Sequence, residues 1–200
     1  MKWIFALLCT LFISISYSQS ISTAIHGFKW KNQVHTADNE DYLTQQEKLL
    51  FYYINLARTQ PRYFADSVLK PYQGAAGFDN RWLEKSTYVK SLYEHLKKMK
   101  PLPALLPDKV LYAQANCFAK EAGRLGTIGH DRKGTSCTFN FAECCSYGYQ
   151  YALDIVLQLL IDDGIESLGH RLICLGNYTH MGVSIQPHKD YKQNAVLNFR

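Results

Sequence analysis

The chain has 200 residues, 47% of them hydrophobic and 20% charged, with a net charge of +5 and a mean hydropathy of −0.22. That balance excludes a disordered chain and a multi-pass membrane protein, and the length suits one domain. The basic excess is too small and scattered for nucleic acid: its densest cluster, Lys97-Lys98-Met99-Lys100, ends a helical pattern, where cations favour the helix dipole.

Met1-Lys2 followed by the apolar stretch Trp3 to Ile15, with small residues Ser16 and Ser18 before Gln19, reads as a cleavable export leader over 1–18. The apolar stretch is too short to span a bilayer, and no transmembrane segment is expected elsewhere. Export predicts a secreted or periplasmic protein and a compartment where disulfides persist. Without Cys9, the mature chain keeps Cys117, Cys137, Cys144, Cys145 and Cys174, an odd number that suggests two bridges and one free thiol. Pairing is left open, with a bridge joining the Cys137–Cys145 region to itself or to Cys174 as the leading expectation. Cys144 and Cys145 would point to opposite faces of a strand. No CxxC pair occurs, which argues against a zinc knuckle or a thioredoxin-type site.

Residues 19–43 are polar, without a sustained period, and read as an N-terminal arm. Thr44-Gln45-Gln46-Glu47 is a capping-box pattern that starts a helix near Gln45, which Pro61 ends or continues towards Val68. A second helix carries Val89, Leu92, Leu96 and Met99 and stops at Pro101 and Pro103. Asp108 caps a third, with Leu111, Ala115, Phe118 and Ala122 on its apolar face and Gly123 or Gly126 at its end. A strand is expected from Phe139 to Cys145, and a fourth helix over Ala152 to Leu160. Strands follow at Met181–Ile185 and Ala195–Phe199, giving an α+β domain with a small antiparallel sheet.

Four polar positions in the second half invite chemistry: His130 in Gly-His-Asp, Glu143 in Phe-Ala-Glu, the pair Asp162-Asp163, and His170 in Gly-His-Arg. Two imidazoles with one or two carboxylates suit a divalent ion such as zinc, or can orient a water without any metal. Their separations mean that only the fold can bring them together. His26, His35, His95 and His188 lack such surroundings and read as solvent-facing or structural. There is no HExxH, GxSxG or glycine-rich phosphate loop. A nucleophilic Cys144 or Cys145 beside Glu143 is conceivable, although exported thiols are more often bridged.

Several segments, in order, resemble the CAP superfamily of cysteine-rich secretory, antigen 5 and pathogenesis-related proteins, whose domain is also called SCP. They are Tyr53-Ile54-Asn55-Leu56-Ala57-Arg58, Ala115 to Ala122 with Gly129-His130-Asp131, and Phe141-Ala142-Glu143. Ser167-Leu168-Gly169-His170-Arg171 resembles the bacterial Ser-Pro-Gly-His-Arg motif, and Tyr178 to Val183 resembles the strand after it. The likeness covers residues 44–200, with an insertion around 70–100. It implies a three-layer α-β-α sandwich and a cavity lined by His130, Glu143, Asp163 and His170, with His130, His170 and Glu143 as metal ligands. Asp163 stands in for a glutamate that usually follows a tryptophan, whose place Leu160 takes here, and Cys144 replaces the usual asparagine. Members of that family are secreted, some bind a divalent metal in the cavity and some bind lipids. With no recognisable nucleophile in the sequence, the expectation is a monomeric, non-catalytic domain holding a divalent metal such as zinc, with a surface for lipid or protein. The alternative is a metal- or His/Glu-assisted hydrolase of peptide or cell-wall material.

Overall fold

A computed structural model describes residues 31–138 and 142–200, with side chains from residue 33 onward. The expected leader 1–18, the arm as far as residue 30 and the start of the strand expected at Phe139 lie outside the described residues. The helices are α1 (Lys31–Val34), α2 (Gln45–Thr59), α3 (Pro61–Phe64, continued by a π-turn over Ala65–Leu69), α4 (Thr87–Lys98), α5 (Lys109–Leu125), α6 (Ala152–Ile161) and α7 (Gly169–Cys174). The strands are β1 (Leu106–Pro107), β2 (Ala142–Tyr147), β3 (His180–His188) and β4 (Lys192–Phe199). The result is α+β.

The helix starts follow from local chemistry. Thr44 Oγ1 accepts from Glu47 N–H, and the Glu47 carboxylate accepts in return from Thr44 N–H at 2.7 Å. The other oxygen of Glu47 accepts from Ile185 N–H at 2.8 Å, so the cap of α2 also ties that helix to β3. Asp108 Oδ1 accepts from Val110 and Leu111 N–H at the start of α5, and Gly126 closes that helix at φ 76°.

The strand order is β1-β3-β4-β2. β2, β4 and β3 pair antiparallel, whereas β1 pairs parallel to β3 through Leu106–His180 and Pro107–Met181. The sheet is therefore mixed rather than antiparallel. A two-residue strand inside a proline-rich connection has no alternation to reveal it.

α5 lies on β3 and β4, and α2 packs on α6. The contact between α5 and β3 is backbone-close: a Cβ on Gly182 would stand 2.1 Å from Tyr112 N, and one on Gly123 would stand 2.0 Å from Pro187 O. A side chain at either position would lift the helix off the sheet. The described part of the arm also joins the core, since Val34, Ala37 and Leu43 are buried.

Two arginines are among the largest fully buried side chains. Arg58 on α2 donates to the carbonyls of Pro103, Cys174, Gly176 and Tyr178. Arg171 on α7 donates to the carbonyls of Leu160, Ile161 and Tyr88 and to Ser91 Oγ. Irregular segments leave carbonyls without ladder partners, and the guanidinium forks satisfy them. Asn55 acts likewise, accepting from Leu105 N–H at 2.7 Å and donating to Leu105 O at 3.1 Å. These residues of the Asn-Leu-Ala-Arg segment hold the connection into β1.

Candidate functional site

β2 supplies the centre of the site. Period-two alternation sends Glu143 and Cys145 to one face and Cys144 to the other. On the first face the Glu143 carboxylate is almost wholly buried. It lies 2.8 Å from His130 Nδ1 and 2.9 Å from Arg132 Nη1, and its second oxygen accepts from Arg132 Nη2. The Arg132 guanidinium stacks on the Phe118 ring of α5 at 3.6 Å from the centroid. Burial alone would raise the Glu143 carboxyl, but hydrogen bonds from His130 and Arg132 outweigh it and hold the group below its ordinary value.

The loop carrying His130 is pinned at several points. Tyr147 Oη accepts from Gly129 N–H at 2.9 Å. A disulfide joins Cys117 on α5 to Cys137 at the far end of the loop, across 20 residues of sequence. This pairing corrects the expected bridge to the Cys144–Cys145 region or Cys174. Cys144, Cys145 and Cys174 are buried free thiols, so a single bridge stands among the described residues where two were expected. Helix α5 runs beside the loop and offers Cys117 as the nearer partner, which the sequence separation alone does not reveal.

Cys145 Sγ lies 3.7 Å from His130 Nδ1 and 3.6 Å from Glu143 Oε1. His130, Glu143 and Cys145 thus each offer a donor atom, all within 4.8 Å of one another, close enough to hold a metal ion. Tetrahedral zinc with bonds of about 2.0–2.3 Å sets its ligand atoms roughly 3.3–3.7 Å apart. The two sulfur separations fit that spacing, and the His130–Glu143 pair would open slightly. The His130 side chain is 49% exposed, which leaves water a route to a fourth position. Burial pushes the Cys145 thiol well above its ordinary range, so it is a neutral thiol until a metal displaces the proton.

His170 does not belong to that group. It stands on the short helix α7 rather than in a loop, and its Nδ1 lies 2.7 Å from Asp162 Oδ1. Asp162 Oδ2 accepts from His170 N–H at 2.9 Å and from Arg171 N–H at 3.3 Å, so one carboxylate caps α7 and orients the imidazole. Asp162 can do so because it closes α6 in the left-handed region at φ 57°. The acid paired with His170 is therefore Asp162. Asp163, the residue expected in this role, accepts instead from Ser86 Oγ at 2.8 Å, at the cap of α4.

Leu168 is also left-handed, at φ 51°, a conformation that the proline of Ser-Pro-Gly-His-Arg, with φ near −65°, does not adopt. On the other face of β2, Cys144 Sγ approaches His170 O at 3.8 Å. Of the expected quartet, only His130 and Glu143 are in contact. Arg132, Cys145 and Asp162 complete the two polar groups. Arg132 gave no sequence signal beyond its place two residues after His130.

No family model matches the chain, and no curated protein matches it. Among solved structures it is similar to an outer surface protein from Borrelia burgdorferi, with 20% identity over 61% of this chain and 94% of that chain and a TM-score of 0.39. A likeness of that size bears on neither the fold family nor the site.

Proposed function

We propose that this protein is an exported, non-catalytic binding domain of the CAP/SCP type, an α-β-α sandwich whose His130–Glu143–Cys145 group takes a divalent ion, zinc being the best fit. The observation that carries the metal reading is the convergence of one imidazole nitrogen, one carboxylate oxygen and one thiol within 4.8 Å. A nitrogen, oxygen and sulfur set favours zinc over magnesium or calcium, which prefer oxygen alone. Export is supported by the leader-like pattern of residues 1–18 and by the Cys117–Cys137 disulfide; among the described residues no helix is long and apolar enough to cross a membrane. Burial keeps Cys144 and Cys145 protonated, the reverse of an activated nucleophile, which argues against cysteine-based hydrolysis, and the chain carries no HExxH or GxSxG motif.

Arg132 sets the terms of metal entry. Its guanidinium already neutralises Glu143, so an incoming ion must detach Nη1 from Oε1. Calorimetric titration of the purified protein with zinc tests the reading. One ion binds per chain; His130→Ala and Cys145→Ser each weaken it at least tenfold, His170→Ala leaves it unchanged, and Arg132→Gln strengthens it. Equal losses in His130→Ala and His170→Ala would restore the two-histidine set, and no zinc binding at all would remove the metal from the reading.

A further inference from the structure

A second polar centre lies away from the Glu143 group. Asp154, on the first turn of α6, is 8% exposed, yet no Lys, Arg or His nitrogen lies within ion-pair distance of it among the described residues. Its one hydrogen bond there is from Tyr72 Oη to Oδ1, at 2.7 Å. One turn further along α6, the Gln158 side-chain carbonyl is buried without a partner. A buried acceptor without a partner, like a buried carboxylate without a counter-charge, is costly and uncommon.

Both acceptors line a cavity of about 300 Å³, within the size range of small-ligand sites. Tyr72, Trp82 and Tyr149 line it too, and Asp163 adds a second carboxylate, while no basic residue faces it. Trp82 is 39% exposed, so the wall it forms is reachable from solvent. Tyr149 is held in place by the Phe78 ring stacked at 4.7 Å. Lys70, Arg81 and Lys90 line the neighbouring groove, and Arg81 is engaged by Asp79 there.

We infer that this cavity binds an organic ammonium group, taken in between the aromatic rings of Trp82, Tyr72 and Tyr149 and held by Asp154 and the Gln158 carbonyl. An ammonium has donors only, which matches a site whose unpartnered atoms are acceptors. Its charge supplies the cation that Asp154 lacks, and aromatic faces attract cations at short range. A metal ion would find no ring of carboxylates here and would gain little from the aromatic walls. A neutral sugar would use the rings but leave the buried charge uncompensated. The site is independent of the proposed zinc group and shares no residue with it.

The ammonium can belong to a free amine or to a lysine side chain on a peptide. Calorimetric titration of the full-length protein with n-butylamine, with Nα-acetyl-lysine amide and with n-butanol at matched ionic strength separates these cases. Either ammonium compound binds and n-butanol does not; which of the two binds identifies the source. Asp154→Asn weakens the ammonium binding at least tenfold, Trp82→Ala weakens it severalfold, and His130→Ala leaves it unchanged. Asp154→Asn keeps the shape and the Tyr72 bond, and its melting curve verifies folding. Absence of binding by both ammonium compounds, equal binding of n-butanol, or undiminished binding in Asp154→Asn would overturn the inference. Binding of glucose or N-acetylglucosamine in place of the amines would overturn it in favour of a carbohydrate site.

Discussion

Glu143 and Asp154 are both buried carboxylates, 4% and 8% exposed; desolvation raises both, yet their net shifts are opposite. At Glu143, Arg132 forks over both oxygens and His130 closes on one of them, so the carboxyl is held below its ordinary value. At Asp154, burial raises the carboxyl above its ordinary value, and the single hydrogen bond from Tyr72 opposes the shift without cancelling it. Burial thus does not decide the state of an acid; the counter-charge supplied with it does. The first acid is satisfied from within the fold, and a ligand there must compete with Arg132. The second waits for a cation from outside.

The largest effect should come from removing that internal counter-charge. Arg132→Ala leaves Glu143 buried and half-satisfied, and it should destabilise the fold by about 3–5 kcal/mol in urea unfolding. Adding Glu143→Gln to Arg132→Ala should recover much of the loss, because the orphan charge disappears. A loss below about 1 kcal/mol in the single variant would place the pair among screened surface bridges and end the contrast with Asp154. Next in size is the bridge that pins the His130 loop. Replacing Cys117 and Cys137 together by Ser should cost about 3 kcal/mol, since the disulfide closes a loop of 20 residues of sequence separation. Thiol titration of the unfolded, unreduced protein without residues 1–18 should find three free thiols, from Cys144, Cys145 and Cys174. A count of one would restore the two-bridge expectation.

The two regions also differ in how far the sequence announced them. The cap of α2, the cap of α5 and the apolar face of α6 are local patterns, and the structure keeps each close to its expected place. His130 and Glu143 were legible because each sits in a short motif. Their partners were not, because Arg132 reaches back across a turn and Cys145 joins them only through strand alternation. The choice between Asp162 and Asp163 depended on a left-handed residue at the end of α6, which a sequence seldom announces in an aspartate. The Asp154 cavity was the least legible of all. Its walls come from residues 70–100, which read as an insertion, and from the segment after β2, so no spacing links Trp82 to Tyr149. The parallel strand β1 escaped for a related reason, being two residues long.

The smallest effect expected is also the most direct measure of the contrast. An acid whose folded value is depressed stabilises the fold above its unfolded value and loses that contribution as pH falls. For Glu143 the unfolded reference is 4.5, so its contribution is complete above that pH and disappears below it, as pH falls through the depressed folded value. An acid whose folded value is raised does the opposite: its ionised form is penalised at neutral pH, and the penalty lifts as pH falls through the folded value towards 3.8. Asp154→Asn should therefore raise stability at pH 7, and the gain should fade as pH falls through the raised folded value towards 3.8. Glu143→Gln should lower stability at pH 7, and that loss should shrink in acid. Differential scanning calorimetry of the wild type and both variants from pH 3 to 7 gives the two difference curves, which should have opposite signs at neutral pH and converge in acid. Curves of the same sign would mean that Asp154 already has a cation within the fold, and the ammonium site would lose its basis. Repeating the Asp154→Asn comparison with n-butylamine present sharpens the result: the amine should raise the wild-type melting temperature, leave the variant unchanged, and so narrow the gap between them.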